Sequence, residues 1–341
     1  MYGELYTKYK SEVISDIFSK TDIDTRKLVK SKANDVIIPC SGETAVDIAT
    51  ARCVPYDNIL LGGDLNIIRL YDCDGSFMSY QLNGKRKYDL AKVAQGVSVV
   101  HLYGDHLKGV RTYNPCLEEQ KKIAKLLSLL DERIATQNKI IEDLKKLKSA
   151  IIEKLYSEIQ GKEYSFGQLF DVVNERNKQM EYSNILSASQ EKGMMNRDDL
   201  NLDIQFERSN INTYKIVRKG DYVIHLRSFQ GGFAFSNKLG VCSPAYTILR
   251  PNNLLEYGYL SNYFTSQRFI KSLILVTYGI RDGRSINVDE WLRMKITIPP
   301  KEHQQYIVKV IGTFERKIED EEAYAAHLSK QKQYLLRQMF I

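Results

Sequence analysis

The sequence predicts an α+β protein in which two mixed, strand-rich domains are separated and followed by long helices that pair as an antiparallel coiled coil. Two observations predict this fold. The chain repeats itself at a shift of 184 to 188 residues, and each copy ends in a proline followed by a long heptad helix. We divide the 341 residues into 1–114 as a first, N-terminally short domain, 115–160 as a central helix, 161–298 as a second domain and 299–341 as a C-terminal helix.

The first domain carries strand patterns at 35–39 and 65–70 and a helical pattern near 87–94. Its opening is short, because 17 residues precede Phe18 whereas 43 separate Lys162 from Phe206 in the second copy. By that comparison, we expect the first domain to lack roughly 25 residues at its start.

The central helix is predicted by apolar residues spaced alternately four and three apart, which is the a/d pattern of a coiled coil. Pro115 and the acidic Glu118 and Glu119 suit the first turn of such a helix. About 40 residues would span on the order of 60 Å. Its apolar seam is Ile123, Leu127, Leu130, Ile134, Ile141, Leu144, Ile151 and Leu155.

The second domain has strand signals at 221–226, 245–249 and 294–298, which are rich in β-branched and aromatic residues. Helical stretches are predicted at 166–174 and 257–274.

The C-terminal helix repeats the seam of the central helix when 184 is added to each number. Polar residues interrupt both seams at the same places, at Gln137 and Glu321 and again at Lys148 and Lys332. A long helix with one apolar stripe needs a partner, and the other copy is the economical one; the polar layers would fix its register. The alternative for the helices alone is a generic scaffold. The second seam is Ile307, Ile311, Phe314, Ile318, Leu328, Leu335 and Met339.

Several phrases in the chain resemble the specificity subunits of type I restriction-modification systems. They are the stretch Leu129–Ile134 inside the proline-initiated helix, GGDLNIIR at 62–69, HLYGDHLKGVRTYNP at 101–115 and GIRDGRSINVDEWLRMKITIPP at 279–300. The repeated arrangement of domain and helix is the specific part of the resemblance, which covers the chain from about residue 23 to 341.

This resemblance implies a subunit that is not itself an enzyme and that reads DNA. Each target recognition domain would read one half of an interrupted sequence in double-stranded DNA, and the paired helices would set the spacer. The implied partners are two methyltransferase subunits, which use S-adenosylmethionine to methylate adenine, and restriction subunits. No cofactor is expected in this chain itself.

Composition agrees with an ordinary soluble protein and favours a cytoplasmic one. No run of 18 apolar residues and no export signal is found, so we expect no membrane association. The five scattered cysteines fit a reducing compartment and form no metal-ligand spacing. The net charge of +7 is a mild basic bias, greatest in the second domain. Phosphate-binding loops and methyltransferase signatures are missing, so no catalytic residue is predicted.

Candidate DNA contacts in the second domain lie in two glycine-bearing loops. Arginine suits bidentate contact with guanine and glutamine with adenine, and glycine allows close approach of the backbone. The competing interpretation for both loops is an ordinary polar loop. The candidates are Arg227, Ser228, Gln230, Tyr278, Arg281 and Arg284.

Candidate contacts in the first domain are less clustered. The segment from Lys85 to Lys92 is the densest basic cluster, and a solvated turn is its alternative. His101 aligns loosely with Arg284 of the other copy, and a surface histidine is its alternative. The candidates are Ser41, Thr44, Arg52, Lys85, Arg86, Lys87, Lys92 and His101.

A function of a different class stays open from the sequence. The long helices alone also suit a coiled-coil adaptor that binds other proteins and not DNA. DNA binding that weakens steeply with salt would distinguish the reader from the adaptor.

Overall fold

The computed structural model of the chain describes residues 4–22, 28–189, 192–200, 208–225, 232–278 and 285–340. The chain divides into two compact units. Unit 1 comprises Met1–Ile141 together with Asp320–Ile341, and unit 2 comprises Glu142–Glu319. The boundary falls within both long helices, so each helix contributes one segment to each unit.

The first half of the chain contains short strands and helices, followed by one long helix. In chain order they are α1 (Glu4–Thr7), β1 (Val29–Lys30), β2 (Asp35–Pro39), β3 (Ser41–Gly42), α2 (Ala45–Ile48), β4 (Arg52–Val54), β5 (Leu60–Leu61), β6 (Leu65–Ile68), α3 (Gly75–Asn83), α4 (Lys87–Val93), β7 (Val100–His101), α5 (Gly104–Leu107) and α6 (Leu117–Ser157).

The second half repeats this arrangement with additional elements at its start. They are β8 (Lys162–Ser165), α7 (Phe166–Leu169), β9 (Phe170–Val173), β10 (Leu186–Ser189), β11 (Gly193–Asn196), β12 (Lys215–Val217), β13 (Tyr222–Ile224), β14 (Phe233–Phe235), β15 (Gly240–Cys242), β16 (Thr247–Pro251), α8 (Gln267–Ser272), β17 (Thr277–Tyr278), β18 (Ser285–Ile286), α9 (Val288–Arg293), β19 (Lys295–Ile298) and α10 (Lys301–Gln338). Within the described residues, 3₁₀ helices lie at Arg197–Leu200, Arg208–Thr213, Tyr263–Thr265 and Leu273–Val276.

The central sheets of the two units share one antiparallel topology. In unit 1 the strand order is β4-β2-β6, and in unit 2 it is β14-β13-β16-β9. The middle strands β2 and β13 are short runs of β-branched and aromatic residues that are wholly buried, which is why they occupy the centre. Strand β9 is the one member of the larger sheet without a described counterpart in unit 1.

A buried aspartate marks the start of each middle strand. Asp35 accepts a hydrogen bond from the backbone N–H of Lys32 at 2.8 Å and lies 3.4 Å from Arg69. Asp221 accepts from the backbone N–H of Arg218 at 2.8 Å and from Arg250 Nε at 3.0 Å. Both aspartates are 2% exposed, so the two units repeat a paired buried charge as well as a strand order.

The core of unit 2 is an aromatic cluster around the only tryptophan. Trp291 is fully buried, and the ring of Phe166 stacks on it with centroids 4.3 Å apart. Phe170, Phe233 and Phe264 surround the pair. The predicted helix at 166–174 is wrong in its second part, because Phe170–Val173 pairs with β16 as strand β9. The predicted helix at 257–274 is also broken, since Ser266 caps a new helix there.

The two long helices run antiparallel where they meet in each unit. In unit 1, Gln137 contacts Glu321 and Asp131 contacts Lys332. In unit 2, Lys148 contacts Glu315. Every predicted seam residue is buried or half-buried. Near the ends of the helices, the buried side chain is the one that follows a seam residue in the sequence, because there the helices pack on the globular parts. These buried residues are Ala124, Ile152, Tyr156, Leu336 and Phe340.

Candidate nucleic-acid interface

A two-stranded ribbon in unit 1 brings together two of the predicted contacts. Strands β3 and β7 pair so that Ser41 lies opposite His101. The Ser41 hydroxyl donates a hydrogen bond to the carboxylate of Asp64. The His101 ring lies parallel to that of Tyr103, with centroids 5.6 Å apart and planes 4° from parallel. Tyr103 in turn contacts His106, so an aromatic and polar group is assembled at one end of the sheet.

Backbone hydrogen bonds hold this ribbon in place. The N–H of Cys40 donates to the carbonyl of Asp64 at 3.0 Å, and the N–H of Leu102 donates to the carbonyl of Cys40 at 2.7 Å. The Asn66 side chain donates to the carbonyl of Leu102 at 2.7 Å. Tyr103 keeps 52% of its surface exposed, so its ring is available to a ligand. Sequence reasoning missed Asp64, Tyr103 and His106, although two of them stand in the phrase HLYGDH.

Thr44 is engaged in its own turn. Its hydroxyl caps α2 by accepting from the N–H of Asp47 at 3.1 Å and donates to the Asp47 carboxylate at 2.6 Å. This is the standard role of threonine before a helix. The Thr44 side chain therefore stabilises the start of α2, which follows the ribbon.

Arg52 is not a surface contact, which corrects the sequence-based prediction. It is 7% exposed, and its guanidinium donates to the carbonyls of Tyr9 at 2.8 Å and Ala51 at 3.1 Å. Burial lowers the pKa of the guanidinium, and the nearby carboxylates of Glu12 and Asp131 oppose that shift. A side chain enclosed by the core cannot reach a phosphate, so Arg52 holds the N-terminal segment to the sheet instead.

The predicted basic cluster divides into exposed and covered members. Lys85 and Lys92 are exposed to solvent. Arg86 is half-buried and lies 3.5 Å from the Asp89 carboxylate. Burial, and then the charge of Arg52, lower the pKa of Lys87. Lys85 and Lys92 are therefore the members that face solvent around α4.

Most of the candidates in unit 2 lie outside the described residues. Arg227, Ser228, Gln230, Arg281 and Arg284 are in this group. Tyr278 pairs with Ser285 through the backbone of β17 and β18, which frame the second loop.

The end of the sheet that precedes the first of these loops is described. Strand β13 ends at Ile224, shortly before the candidate Arg227. The equivalent strand β2 ends at Pro39, shortly before the candidate Ser41. At the end of β13 the rings of His225 and Tyr246 lie 6.1 Å apart, and Lys215 donates to the carbonyl of Tyr246 at 2.7 Å.

A buried glutamine joins each long helix to the globular part that precedes it. Gln120 accepts a hydrogen bond from the N–H of Asp74 at 2.9 Å and donates to the carbonyl of Pro115 at 2.8 Å. Gln304 accepts from the N–H of Glu256 at 2.7 Å and donates to the carbonyl of Pro299 at 2.9 Å. Both are at most 2% exposed. We call these two residues the glutamine clamps.

The clamps lie in the segments PCLEEQ at 115–120 and PPKEHQ at 299–304, which correspond in the internal repeat. They occupy the same distance from the proline in both copies, which was the available signal. An amide is required at this position, because one end accepts from a backbone N–H while the other donates to a carbonyl.

The sequence predicts one polar layer at Lys148 and Lys332, but each lysine forms a separate ion pair. The Lys332 ammonium lies 2.5 Å from carboxylate oxygens of both Asp131 and Glu12. Lys148 lies 2.7 Å from Glu315. Because the helices run antiparallel, each lysine lies opposite an acidic residue of the other helix. Adding 184 to the numbers of Asp131 and Lys148 gives Glu315 and Lys332, so the two ion pairs are equivalent in the repeat.

Among the residues that the structure describes, no three or more histidine, cysteine, aspartate or glutamate side chains form a group suited to a metal ion. None of the described helices is long and apolar enough to cross a membrane.

Comparison with known proteins bears on these features. Residues 161–328 match the family described as type I restriction modification DNA specificity domain. Two curated relatives come from Methanocaldococcus jannaschii. The type I restriction enzyme MjaVIII specificity subunit is 29% identical over 46% of this chain and 35% of its own length. The putative type I restriction enzyme MjaX specificity subunit is 25% identical over 67% of this chain and 58% of its own.

The chain therefore spans only about a third to somewhat over half of these curated relatives. Its fold is similar to a crystal structure of the type I restriction-modification system S subunit from M. genitalium. That similarity has a TM-score of 0.56 at 17% identity, over 97% of this chain and 89% of the other. The domain match therefore shows that residues 161–328 are a type I restriction modification DNA specificity domain, and the structural similarity shows that the chain shares the fold of an S subunit.

Proposed function

We propose that this chain is the non-catalytic DNA-recognition subunit of a type I restriction-modification complex. The observation that carries the proposal is the repetition of one functional arrangement in both units. Each unit has an antiparallel sheet with an equivalent buried middle strand, and each is joined to a long helix by a glutamine clamp. A reader of two half-sites needs two such domains.

In unit 1 the reading surface is the ribbon that carries Ser41, His101 and Tyr103. Hydroxyl and imidazole groups can donate to or accept from base edges, and an exposed aromatic ring can pack on a base or sugar. Lys85 and Lys92 would contact phosphates, which position the protein without reading sequence.

In unit 2 the contacts with DNA would come from the two sequence segments 226–231 and 278–285. Arg227, Arg281 and Arg284 have the side chain best suited to guanine, and Gln230 has the one best suited to adenine. Ser228 and Tyr278 can add single hydrogen bonds. The two units would thus read two different half-sites.

The paired helices would hold a spacer of fixed length between the half-sites and dock two methyltransferase subunits. Those partners would flip an adenine out of the duplex and methylate it with S-adenosylmethionine, so this chain has only to grip DNA on either side. Restriction subunits would join the same complex, which would work in the cytoplasm. We retain the division into 1–114, 115–160, 161–298 and 299–341 as the functional division of the chain.

A domain exchange tests the proposal. Residues 161–298 are replaced by the matching domain of a related subunit, and the methylated sequence is determined across the host genome. We expect one half of the methylated motif to change and the other half to stay. An unchanged motif would overturn the proposal.

DNA binding in the presence of the methyltransferase partner separates the reader from the coiled-coil adaptor, which the comparisons do not favour. A reader's affinity falls steeply as salt rises. We expect Lys92→Gln to reduce the salt slope by about one, while Tyr103→Ala weakens binding only to the correct sequence. Lys146→Gln, on the exposed surface of α6, serves as the matched control. No DNA binding, or binding that does not weaken with salt, would favour the adaptor.

A further inference from the structure

Two polar side chains at one end of the ribbon in unit 1 offer a ligand only acceptors of hydrogen bonds. The Ser41 hydroxyl donates its single proton to Oδ2 of Asp64, so it has only lone pairs left for a ligand. As a carboxylate, Asp64 accepts hydrogen bonds and donates none. The nearby Asn66 amide directs its NH2 group to the carbonyl of Leu102. We call Ser41 and Asp64 the acceptor pair.

The acceptor pair is accessible from solvent. Asp64 is exposed and Ser41 is half-buried. Gly62 and Gly63 come directly before Asp64, and a Cβ added at either glycine would meet no described atom within 4 Å. A large ligand can therefore come close to the Asp64 carboxylate along this glycine segment.

The sheet of unit 2 carries no carboxylate at the equivalent position. Asn66 on β6 and Thr247 on β16 correspond, because each pairs with the residue three places after the buried aspartate of its middle strand. Two residues before them stand Asp64 in unit 1 and Ala245 in unit 2, and both are exposed. The Asp64 carboxylate is therefore not needed for the architecture that the two units share.

A carboxylate on a DNA-binding surface weakens binding unless a donor faces it. Phosphates repel it, since like charges placed together lower affinity. In the major groove, the amino groups at N4 of cytosine and N6 of adenine are donors, whereas O6 of guanine and O4 of thymine are acceptors. Aspartate is accordingly suited to an amino group on a base edge and opposed to a base oxygen.

We propose that the acceptor pair selects an exocyclic amino group at one position of the half-site that unit 1 reads. On the contacted strand, adenine or cytosine is accepted there. Guanine and thymine are rejected, because their oxygens would face the Asp64 carboxylate. Asp64 is thus a specificity-determining residue, and Ser41 holds its carboxylate in place. The inference rests on the proposed function and names the chemical group that this surface recognises.

The test on the protein uses the complex of this chain with its methyltransferase partner. The host methylome first defines the wild-type motif. Asp64→Asn keeps an oxygen for the Ser41 hydroxyl but removes the charge and adds a donor. We expect one position of one half-site to become tolerant of guanine or thymine, with the wild-type preference there reduced by about tenfold or more.

Asp57→Asn is the matched control for the loss of charge. Asp57 is also exposed, and its Oδ1 accepts from the N–H of Ala33 at 2.9 Å. Ala33 precedes strand β2 whereas Ser41 follows it, so the control lies at the other end of that strand. Asparagine can still accept from Ala33, and the methylated motif should stay unchanged.

Deletion of the amino group from the DNA tests the same contact with the wild-type protein. In the affected base pair, adenine is replaced by purine or cytosine by 2-pyrimidinone, which lack the exocyclic amino group. We expect the wild-type complex to bind this DNA about tenfold more weakly than the unmodified duplex. An Asp64→Ala complex, with the residue type that unit 2 carries at this position, should bind both duplexes equally.

Three results would overturn the inference: an unchanged motif in the Asp64→Asn complex, an equal change in the Asp57→Asn complex, or equal binding of the two duplexes by the wild-type complex. In each of them the wild-type complex still methylates a bipartite motif, so the proposed function stands. Failure of the wild-type complex to bind DNA would instead overturn the proposed function together with this inference.

Discussion

Gln137 and Glu321 are counterparts of each other in the internal repeat, and they are also hydrogen-bond partners. The Gln137 amide donates to the side chain of Glu321 and lies 3.3 Å from its backbone carbonyl. When two helices with the same repeated sequence pair antiparallel, one residue lies opposite its own counterpart. Every other contact has an equivalent contact on the other side of that residue. The polar layer therefore marks the centre of the register, as Asp131–Lys332 and Lys148–Glu315 confirm on either side.

The central layer should show strong coupling in a double-mutant cycle. Gln137 is 4% exposed, so Gln137→Leu deprives the Glu321 carboxylate of a donor and should lower the free energy of unfolding by about 1–3 kcal/mol. Gln137→Leu combined with Glu321→Leu should recover most of that loss, because both polar groups are removed together. Urea denaturation of the four proteins measures the coupling, and simple additivity would contradict it.

Substitution of Lys332 should lower the free energy of unfolding more than substitution of Lys148 does. Lys332 is 13% exposed between Glu12 and Asp131, so Lys332→Met should cost about 3–5 kcal/mol by leaving two carboxylates facing each other. Lys148→Met is the matched control, since Lys148 is 24% and Glu315 42% exposed, and should cost less than about 1 kcal/mol.

Urea denaturation of the two variants measures the difference in the free energy of unfolding. Equal losses for Lys332→Met and Lys148→Met would contradict the difference in burial between the two ion pairs.

Substitution of a glutamine clamp should lower the free energy of unfolding, whereas substitution of the residue next to it should have little effect. Gln304→Leu leaves the N–H of Glu256 and the carbonyl of Pro299 without partners, which should cost about 1–3 kcal/mol. Gln305→Leu, one residue later on the exposed side of α10, should change the free energy of unfolding by less than about 0.5 kcal/mol. Gln120→Leu should match Gln304→Leu, and thermal unfolding of the three variants tests this.

The cysteines should react with iodoacetamide in an order set by burial. Burial raises the pKa of Cys53 to about 11 and that of Cys242 to about 12, so little thiolate is present at pH 8. Cys116 is exposed and should be alkylated at least tenfold faster than either. Peptide mass mapping over time measures the rates, with guanidinium-unfolded protein as the control in which all react alike.

The same raised pKa values make the folded state lose stability in base. An unfolded thiol ionises near pH 8.5, whereas the folded Cys53 and Cys242 remain protonated. Their contribution to stability is therefore fully present below about pH 8.5 and declines as pH rises toward 11 and 12. C53A/C242A should flatten this alkaline decline in urea unfolding.

The repeat and the heptad spacing were enough to predict the architecture. Both depend on local periodicity, which a sequence carries directly, and strands such as Asp35–Pro39 follow from the same signal. Helix 166–174 was mispredicted because the tertiary pairing of β9 with β16 outweighs the local pattern. Pairing partners distant in sequence leave no periodic trace.

The candidate site was harder to predict, because exposure depends on packing. Arg52 looks like a phosphate contact in the sequence, yet the N-terminal segment covers it. Ser41 and His101 were chosen separately, and only the pairing of β3 with β7 makes them neighbours. Tyr103 carries no distinguishing signal in the sequence, because it is one of 22 tyrosines and tyrosine suits both cores and binding surfaces.

The division into units implies an order of events during protein synthesis. Unit 2 is one continuous stretch, but unit 1 also needs residues 320–341, which the ribosome makes after the whole of unit 2. Leu336 and Phe340 pack with Phe77 and Tyr80, so part of the unit 1 core is missing until then. Unit 1 therefore closes only after unit 2 has been synthesised, and until then its apolar surface is accessible to chaperones.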